Sequence, residues 1–228
     1  MPYYTVDEVD PRRAALIVVD MQSDFLAVGA PLEVEAGRAM IPQLKRALDF
    51  CREREIPVIY TAHVHRRGGS DMGLFKFNAE IAGGRALSEG EPGAAIYPEI
   101  APRPDELVIK KHRFSGFYGT DLELVLRGLG VDTVIICGVT TENCCHATAR
   151  DAMFRDFKVI FLSDATGTFD YADARQGALT ADEVHRSTLV ILAQSTADVM
   201  TAEEFFAKVT AEEPARFLSG STTAYPAA

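Results

Sequence analysis

The run Thr133-Val134-Ile135-Ile136-Cys137-Gly138-Val139-Thr140-Thr141-Glu142-Asn143-Cys144-Cys145 decides how this chain folds. Its first five residues are β-branched or apolar and read as a buried strand. Gly138 permits a tight turn, and the continuation through Thr148-Ala149-Arg150-Asp151-Ala152 has helical composition. A strand, a glycine turn and a cysteine in the first helical turn set the Cys144 thiol at the positive end of a helix dipole. That position favours a thiolate, and the same backbone N–H groups suit an oxyanion. Cys145 sits about 100° further round a helix of roughly 3.6 residues per turn, so the two thiols do not share one pocket. Cys145 reads as packing, as do Cys51 and Cys137, because a free cysteine behaves as a small buried hydrophobe.

Outward from this segment, apolar β-rich runs alternate with helical patterns. Strands are expected over residues 15–19, 57–62, 107–110, 133–137, 159–162 and 197–200. Between the first two, Met40, Ile41, Leu44, Leu48 and Cys51 recur at helical spacing. Three helix starts carry a Thr followed three residues later by Glu: Thr120 with Glu123, Thr180 with Glu183, and Thr201 with Glu204. This alternation predicts an α/β fold, a doubly wound, mostly parallel six-stranded sheet between helical layers. Residues 63–106 interrupt the rhythm and are too long for an ordinary connection, so they read as a functional insertion or interface arm. Residues 1–211 read as one domain and 212–228 as a loosely held C-terminal tail.

With 228 residues the chain is long enough for one large core. The formal net charge of −10, without a basic cluster beyond Arg66-Arg67 and Lys110-Lys111, argues against a nucleic-acid surface. No apolar run approaches the roughly 20 residues of a membrane span. The acidic start, Met1 to Glu8, does not resemble a secretory signal. Four cysteines without a Cys-x-x-Cys pair suggest neither a disulfide framework nor zinc fingers, and a cytoplasmic location is expected.

Two further residues carry chemistry. Asp20 follows the apolar run Leu16-Ile17-Val18-Val19 and so lies at the C-terminal end of a buried strand, where open α/β sheets build their sites. Burial would raise its pKa and suit it to proton transfer near neutral pH. Lys111 ends the third strand, in Lys111-His112-Arg113-Phe114-Ser115-Gly116-Phe117. Taken alone, Asp20 reads sooner as a loop cap, and Lys111 still more readily as a solvated surface position. In a doubly wound sheet strands one and four are neighbours, so Asp20 and Cys144 face one crevice, with Lys111 approaching from strand three.

The three signatures, Leu-Ile-Val-Val-Asp20-Met-Gln-Ser-Asp-Phe, Lys111-His-Arg-Phe-Ser-Gly-Phe-Tyr-Gly-Thr-Asp-Leu and Gly138-Val-Thr-Thr-Glu-Asn-Cys144-Cys-His-Ala-Thr-Ala-Arg-Asp-Ala, resemble the isochorismatase-like cysteine hydrolase superfamily over residues 14–206. The resemblance implies a three-layer α/β/α fold and an Asp20-Lys111-Cys144 triad. It further implies a cis peptide at Val139-Thr140, an oxyanion hole formed by the backbone N–H groups of Thr140 and Cys144, and a homodimer or homotetramer. Isochorismatases proper lack the cysteine, so Cys144 points to the amide-cleaving branch. Nicotinamidases of that branch carry an Asp-x-His zinc pair after strand two, whereas this chain has His63-Val64-His65. His63, His65 and Asp71 are the candidate metal ligands, but loop histidines near a subunit contact are the favoured reading, and no metal or organic cofactor is expected.

The function implied is a cysteine-dependent amidohydrolase that cleaves a C–N bond of a small linear amide, ureido or carbamoyl compound and releases ammonia through a thioester. The alternatives are nicotinamidase-type aromatic amide hydrolysis, isochorismatase-like ether hydrolysis, and a redox-responsive thiol protein. Phe25, Gln22, Phe117 and Tyr118 are the expected substrate contacts. Arg113 or His112 would pair with a carboxylate on the substrate, and Arg113 alternatively braces the loop.

Overall fold

The computed structural model describes residues 4–210. Six strands form one sheet: β1 (Ala14–Val19), β2 (Val58–His63), β3 (Leu107–Lys111), β4 (Thr133–Val139), β5 (Lys158–Gly167) and β6 (Asp198–Met200). Their order is β3-β2-β1-β4-β5-β6, and each neighbouring pair is parallel. β1 and β4 are buried along their whole length, as expected of strands covered on both faces.

Alternation along β1 assigns the two faces. Leu16 and Val18 join one core with Leu44, Leu48 and Cys51 of the helix Ile41–Glu53 and Phe205 of the helix Ala202–Lys208. Ala15, Ile17 and Val19 join the opposite core, with Leu122 and Leu126, Ala149 and Ala152, and Leu192 from three further helices. Those helices are Leu122–Gly128, His146–Met153 and Ala181–Ser195. The period of two along the strand thus produces the three-layer α/β/α arrangement.

Thr180 and Thr201 form complete capping boxes with Glu183 and Glu204. The box expected at Thr120 does not form. The Thr120 hydroxyl donates to the Gly116 carbonyl, Glu123 turns to Arg155 at 2.9 Å, and the helix begins after Asp121. Glu123 has a tertiary partner in Arg155, while the Thr120 hydroxyl makes other local bonds, donating to the Gly116 carbonyl and accepting from the Leu122 N–H.

The segment 63–106 folds along the C-terminal edge of the sheet and is pinned there by buried polar groups. The Gln22 amide donates to the carbonyls of His63 and Ala94 and accepts from the His63 N–H. Asp24 accepts from the Leu87 N–H at 2.6 Å, and burial pushes its pKa up, only partly opposed by that bond. A Cβ on Gly93 would lie 1.9 Å from the Asp24 carboxylate, so glycine is required for this close approach. The tail expected over 212–228 lies outside the described residues.

Candidate active site

The floor of the site is built at the C-terminal ends of β1, β3 and β4. Asp20 follows β1 directly, in a left-handed conformation (φ 50°) that turns its carboxylate back over the strand ends. Its Oδ1 accepts from the Thr61 hydroxyl of β2 at 2.7 Å. Lys111 closes β3, two strands away from β1. Parallel strands are spaced by about 4.8 Å, so a group on β3 has roughly 10 Å to bridge, and the long lysine stem covers most of that gap. Its Nζ reaches Asp20 Oδ2 at 2.6 Å and Cys144 Sγ at 3.3 Å, and donates to the Arg113 carbonyl at 2.9 Å. Asp20 and Lys111 are fully buried and Cys144 nearly so.

The turn that carries Cys144 differs from the α-helical start expected. The Val139-Thr140 peptide is cis, and Thr141–Cys145 form a π-helical turn closed by Cys145 N–H to the Thr140 carbonyl at 3.1 Å, before the α-helix starts at His146. A Cβ at Gly138 would sit 2.1 Å from the Val19 carbonyl oxygen, which explains the glycine where β4 leaves β1. The Thr141 hydroxyl meets His185 Nδ1 at 2.9 Å, while His185 Nε2 faces the Ser163 carbonyl at 3.0 Å. A carbonyl only accepts, so Nε2 carries the proton and Nδ1 accepts from Thr141. Cys145 points back to the Cys137 carbonyl inside the core, away from Cys144.

Charge placement follows from burial. Burial pushes the Cys144 thiol up, and the nearby Lys111 ammonium only partly offsets it, so the resting group is the thiol rather than the thiolate its helix-start position suggests. Burial alone would lower the pKa of Lys111, but Asp20 and Cys144 outweigh it and hold the ammonium above its ordinary range. Burial, then the Lys111 charge, keeps His63 far below its ordinary value, so its imidazole is neutral beside the pair.

Above this floor opens a cavity of about 650 Å³. Thr140, Asn143 and Cys144 line it from the β4 turn, and His63, Phe75 and Phe77 from the 63–106 arm. Phe25, Phe114, Phe169 and Tyr171 close it further. Glu142 ties one wall together: its Oε1 accepts from Thr140, Asn143 and Tyr171 at 2.7, 2.9 and 2.8 Å.

Of the five expected substrate contacts, Phe25 alone lines this cavity. Gln22 is engaged in stapling the arm, Phe117 packs in the core against Phe157 and Arg155, and Tyr118 is exposed. Arg113 donates to the carbonyls of Asp71 and His112 and lies over the Phe75 ring, so it braces the loop behind the wall. Proximity in sequence to Asp20 and Lys111 was a poor guide, because a residue just past a strand end is as free to turn into the core as into the crevice. The aromatic runs Leu74-Phe75-Lys76-Phe77, in the 3₁₀ helix Gly73–Phe77, and Phe169-Asp170-Tyr171, past the end of β5, are the signal that marks the walls.

Two groups of metal-ligand side chains approach one another. Asp20, His63 and Cys144 meet at the floor, where the Lys111 ammonium already bridges carboxylate and sulfur. A second cation does not fit beside it. His65, Asp71 and His112 form the other group, with His65 Nδ1 and His112 Nδ1 each 3.4 Å from the Asp71 carboxylate. His112 Nδ1 also lies 2.5 Å from the Val64 carbonyl, a contact that requires its proton. That proton occupies the His112 nitrogen that faces Asp71 and leaves the ring's lone pair on Nε2. His63 stands where the nicotinamidase pattern has the aspartate of its zinc pair, so the acidic ligand of that pair is missing. His63 Nε2 and His65 Nε2 instead contact each other at 3.2 Å.

Comparison with known proteins agrees with this architecture. Nicotinamidase 3 of Arabidopsis thaliana is 33% identical over 195 residues, which cover 83% of this chain and 86% of that protein. Ureidoacrylate amidohydrolase RutB of Serratia proteamaculans is 31% identical over 188 residues, 74% of this chain and 75% of that one. The crystal structure of a cysteine hydrolase from Pseudomonas syringae pv. phaseolicola superposes with a TM-score of 0.87 at 34% identity, over 91% of this chain and 97% of the other. Residues 14–204 match the isochorismatase domain model, and the chain belongs to the isochorismatase family of hydrolases, with amidases among its relatives.

Proposed function

We propose that this chain is a cysteine-dependent amidohydrolase acting on a small amide or ureido compound. The observation that carries the reading is the Lys111 ammonium held between the Asp20 carboxylate and the Cys144 sulfur, all buried at the floor of one cavity. In the resting state the thiol is protonated. As it attacks the carbonyl carbon its proton passes to Asp20, and the oxyanion is received by the backbone N–H groups of Thr140 and Cys144. The tetrahedral adduct collapses, the C–N bond breaks, and Asp20 returns the proton to the departing nitrogen as ammonia. Water then attacks the thioester with Asp20 as base, which frees the acid and restores the thiol. Lys111 keeps its proton throughout and steadies both partners, because its ammonium is ion-paired with Asp20 and donates to Cys144 Sγ and the Arg113 carbonyl.

Linear amides and ureides are the favoured substrates over nicotinamide, since His63 stands where nicotinamidases place the aspartate of their metal pair. A carboxylate on the substrate finds no partner in Arg113, which is turned to the loop carbonyls. Ammonia release from a panel of primary amides, with mass spectrometry of the quenched enzyme, tests the reading. An acyl adduct on Cys144 during turnover is the expected result; turnover that persists after Cys144 has been alkylated would refute it.

A further inference from the structure

We infer that the substrate of this site is an uncharged amide with an apolar acyl body, and that amides carrying a carboxylate are rejected. The inference rests on the amidohydrolase reading above and narrows it.

The lining combines a few polar groups with a larger apolar surface. Thr140, Asn143 and Tyr171 are polar and are tied together through Glu142 Oε1. Phe25, Leu32, Phe75, Phe77, Ile81 and Phe114 are apolar. Asn78 is also polar, but its side-chain oxygen caps the short helix Ala79–Ala82 by accepting from the N–H groups of Glu80 and Ile81. A volume of about 650 Å³ is in the range of small-molecule sites, roughly 300–1,000 Å³. It exceeds what an amide head alone would fill.

Charge decides the second half of the inference. Among the described residues, Glu33 is the one lining side chain with a formal charge at neutral pH, since burial keeps His63 neutral. Lys76, between Phe75 and Phe77, is exposed and is not part of the lining, and three other cations close to the lining in the chain are engaged elsewhere. Lys111 forms an ion pair with Asp20 and donates to Cys144 Sγ and the Arg113 carbonyl. Arg38 pairs with Glu33 at 2.8 Å and donates to the Leu26 carbonyl. Arg113 holds the Asp71 and His112 carbonyls. A carboxylate seated among the phenylalanines would lose its water without gaining a cation. An alkyl or aryl body loses nothing there and gains burial.

Matched pairs test this on the full chain: hexanamide against its ω-carboxylate analogue adipamic acid, and benzamide against 4-carbamoylbenzoic acid. The uncharged member of each pair is expected to show the higher kcat/KM by about tenfold or more, the discrimination of an unpaired buried charge. Equal or reversed values in both pairs would overturn the inference. If none of the four compounds releases ammonia, the amidohydrolase reading fails on its own. Calorimetric binding of the same compounds to the unmodified chain then decides the inference, with tighter binding of the uncharged members supporting it and equal, reversed or absent binding overturning it. A second variant addresses the location. Phe77 lines the cavity and is 78% exposed, so Phe77→Arg brings a cation to the rim without disturbing the core. It should narrow the gap within each pair severalfold; an unchanged gap would show that the acyl body lies elsewhere.

Discussion

The floor and the walls of the cavity are made from different parts of the fold, and they fail differently. Lys111 is the last residue of β3 and is held in register with β2, Asp20 follows β1 directly, and Cys144 lies in the π-helical turn after β4. Each has a buried, charged or hydrogen-bonded partner in the other two. The walls come from the 63–106 arm, the segment after β3 and the segment after β5, and are mostly aromatic side chains packed on one another, with Phe75 edge to face against Phe114 and Phe169 stacked on Tyr171. On the function proposed above, a change in the floor removes chemistry, and a change in the walls alters which molecule is held. Loops carried by a rigid sheet commonly divide the work in this way.

The sharpest test of the floor separates the two adjacent cysteines. Cys144→Ala should lower kcat by about 10⁴-fold or more, the scale of losing a nucleophile. Cys145→Ala should leave kcat within a few-fold and cost about 1 kcal/mol of stability, because it removes one small buried group from the core. An inactive Cys145→Ala beside an active Cys144→Ala would reverse the assignment. Asp20→Asn comes next. It keeps the shape but cannot take a proton, and a loss of about 10²–10⁴-fold is expected. It also leaves the fully buried Lys111 ammonium without its counter-charge, so a lower melting temperature should accompany the kinetic loss. Near-normal kcat in a folded Asp20→Asn would remove Asp20 from the mechanism.

The resting state of the thiol has its own signature. Burial raises the Cys144 pKa above the ordinary cysteine value of about 8.5, so the thiolate fraction, and with it the rate of alkylation by iodoacetamide without substrate, should climb with pH. The sign is fixed by the direction of the shift: below the raised pKa the thiol dominates, and each pH unit should bring about a tenfold rise until it is passed. A plateau reached below pH 8 would mean a preformed thiolate, and would move the first proton transfer ahead of substrate binding.

How legible each region was follows from the same contrast. The six strands, their order and the meeting of Asp20 with Lys111 and Cys144 follow from periodicity, from strand ends and from the rule that doubly wound sheets build sites at the switch point. Those are local patterns and one topological regularity. The walls obey neither. Phe117 and Phe114 lie three residues apart after β3, yet one packs in the core and the other lines the cavity. Hydrophobicity is the same for both; only the path of the chain distinguishes them. The π-helical turn at Thr141–Cys145 was equally hidden, since its residues carry no propensity that separates it from an α-helical start. At Thr120 the local motif lost to a different local bond for the hydroxyl and a tertiary ion pair for Glu123.

On the walls, effects should be small and selective. Tyr171→Phe removes the hydroxyl that donates to Glu142 Oε1 and accepts from the Asn143 amide, but leaves the ring stacked on Phe169. A hydrogen bond of this kind contributes about 1 kcal/mol, so kcat/KM should fall by roughly fivefold, through KM rather than kcat. A fall confined to kcat would place Tyr171 with the floor and blur the division.

The smallest expected effect is none. Exhaustive chelation should leave turnover and melting temperature unchanged. His65, Asp71 and His112 resemble a metal cluster in composition, and His65 Nδ1 is buried without a hydrogen-bond partner. The hydrogen-bond pattern argues otherwise. Asp71 accepts from the Arg66 backbone N–H and faces both imidazoles, and although burial alone would raise its pKa, these partners outweigh it and keep the carboxylate ionised. His112 keeps its Nδ1 proton on the Val64 carbonyl. The cluster then braces the base of the arm: Asp71 links the start of the 63–106 segment to the turn after β3, through its carboxylate and through its carbonyl on Arg113. On that account Asp71→Asn should lower stability and loosen KM, and added zinc should restore neither. Activity lost with EDTA and regained with Zn²⁺, or stoichiometric zinc in the purified protein by elemental analysis, would show that the wall as well as the floor takes part in the chemistry.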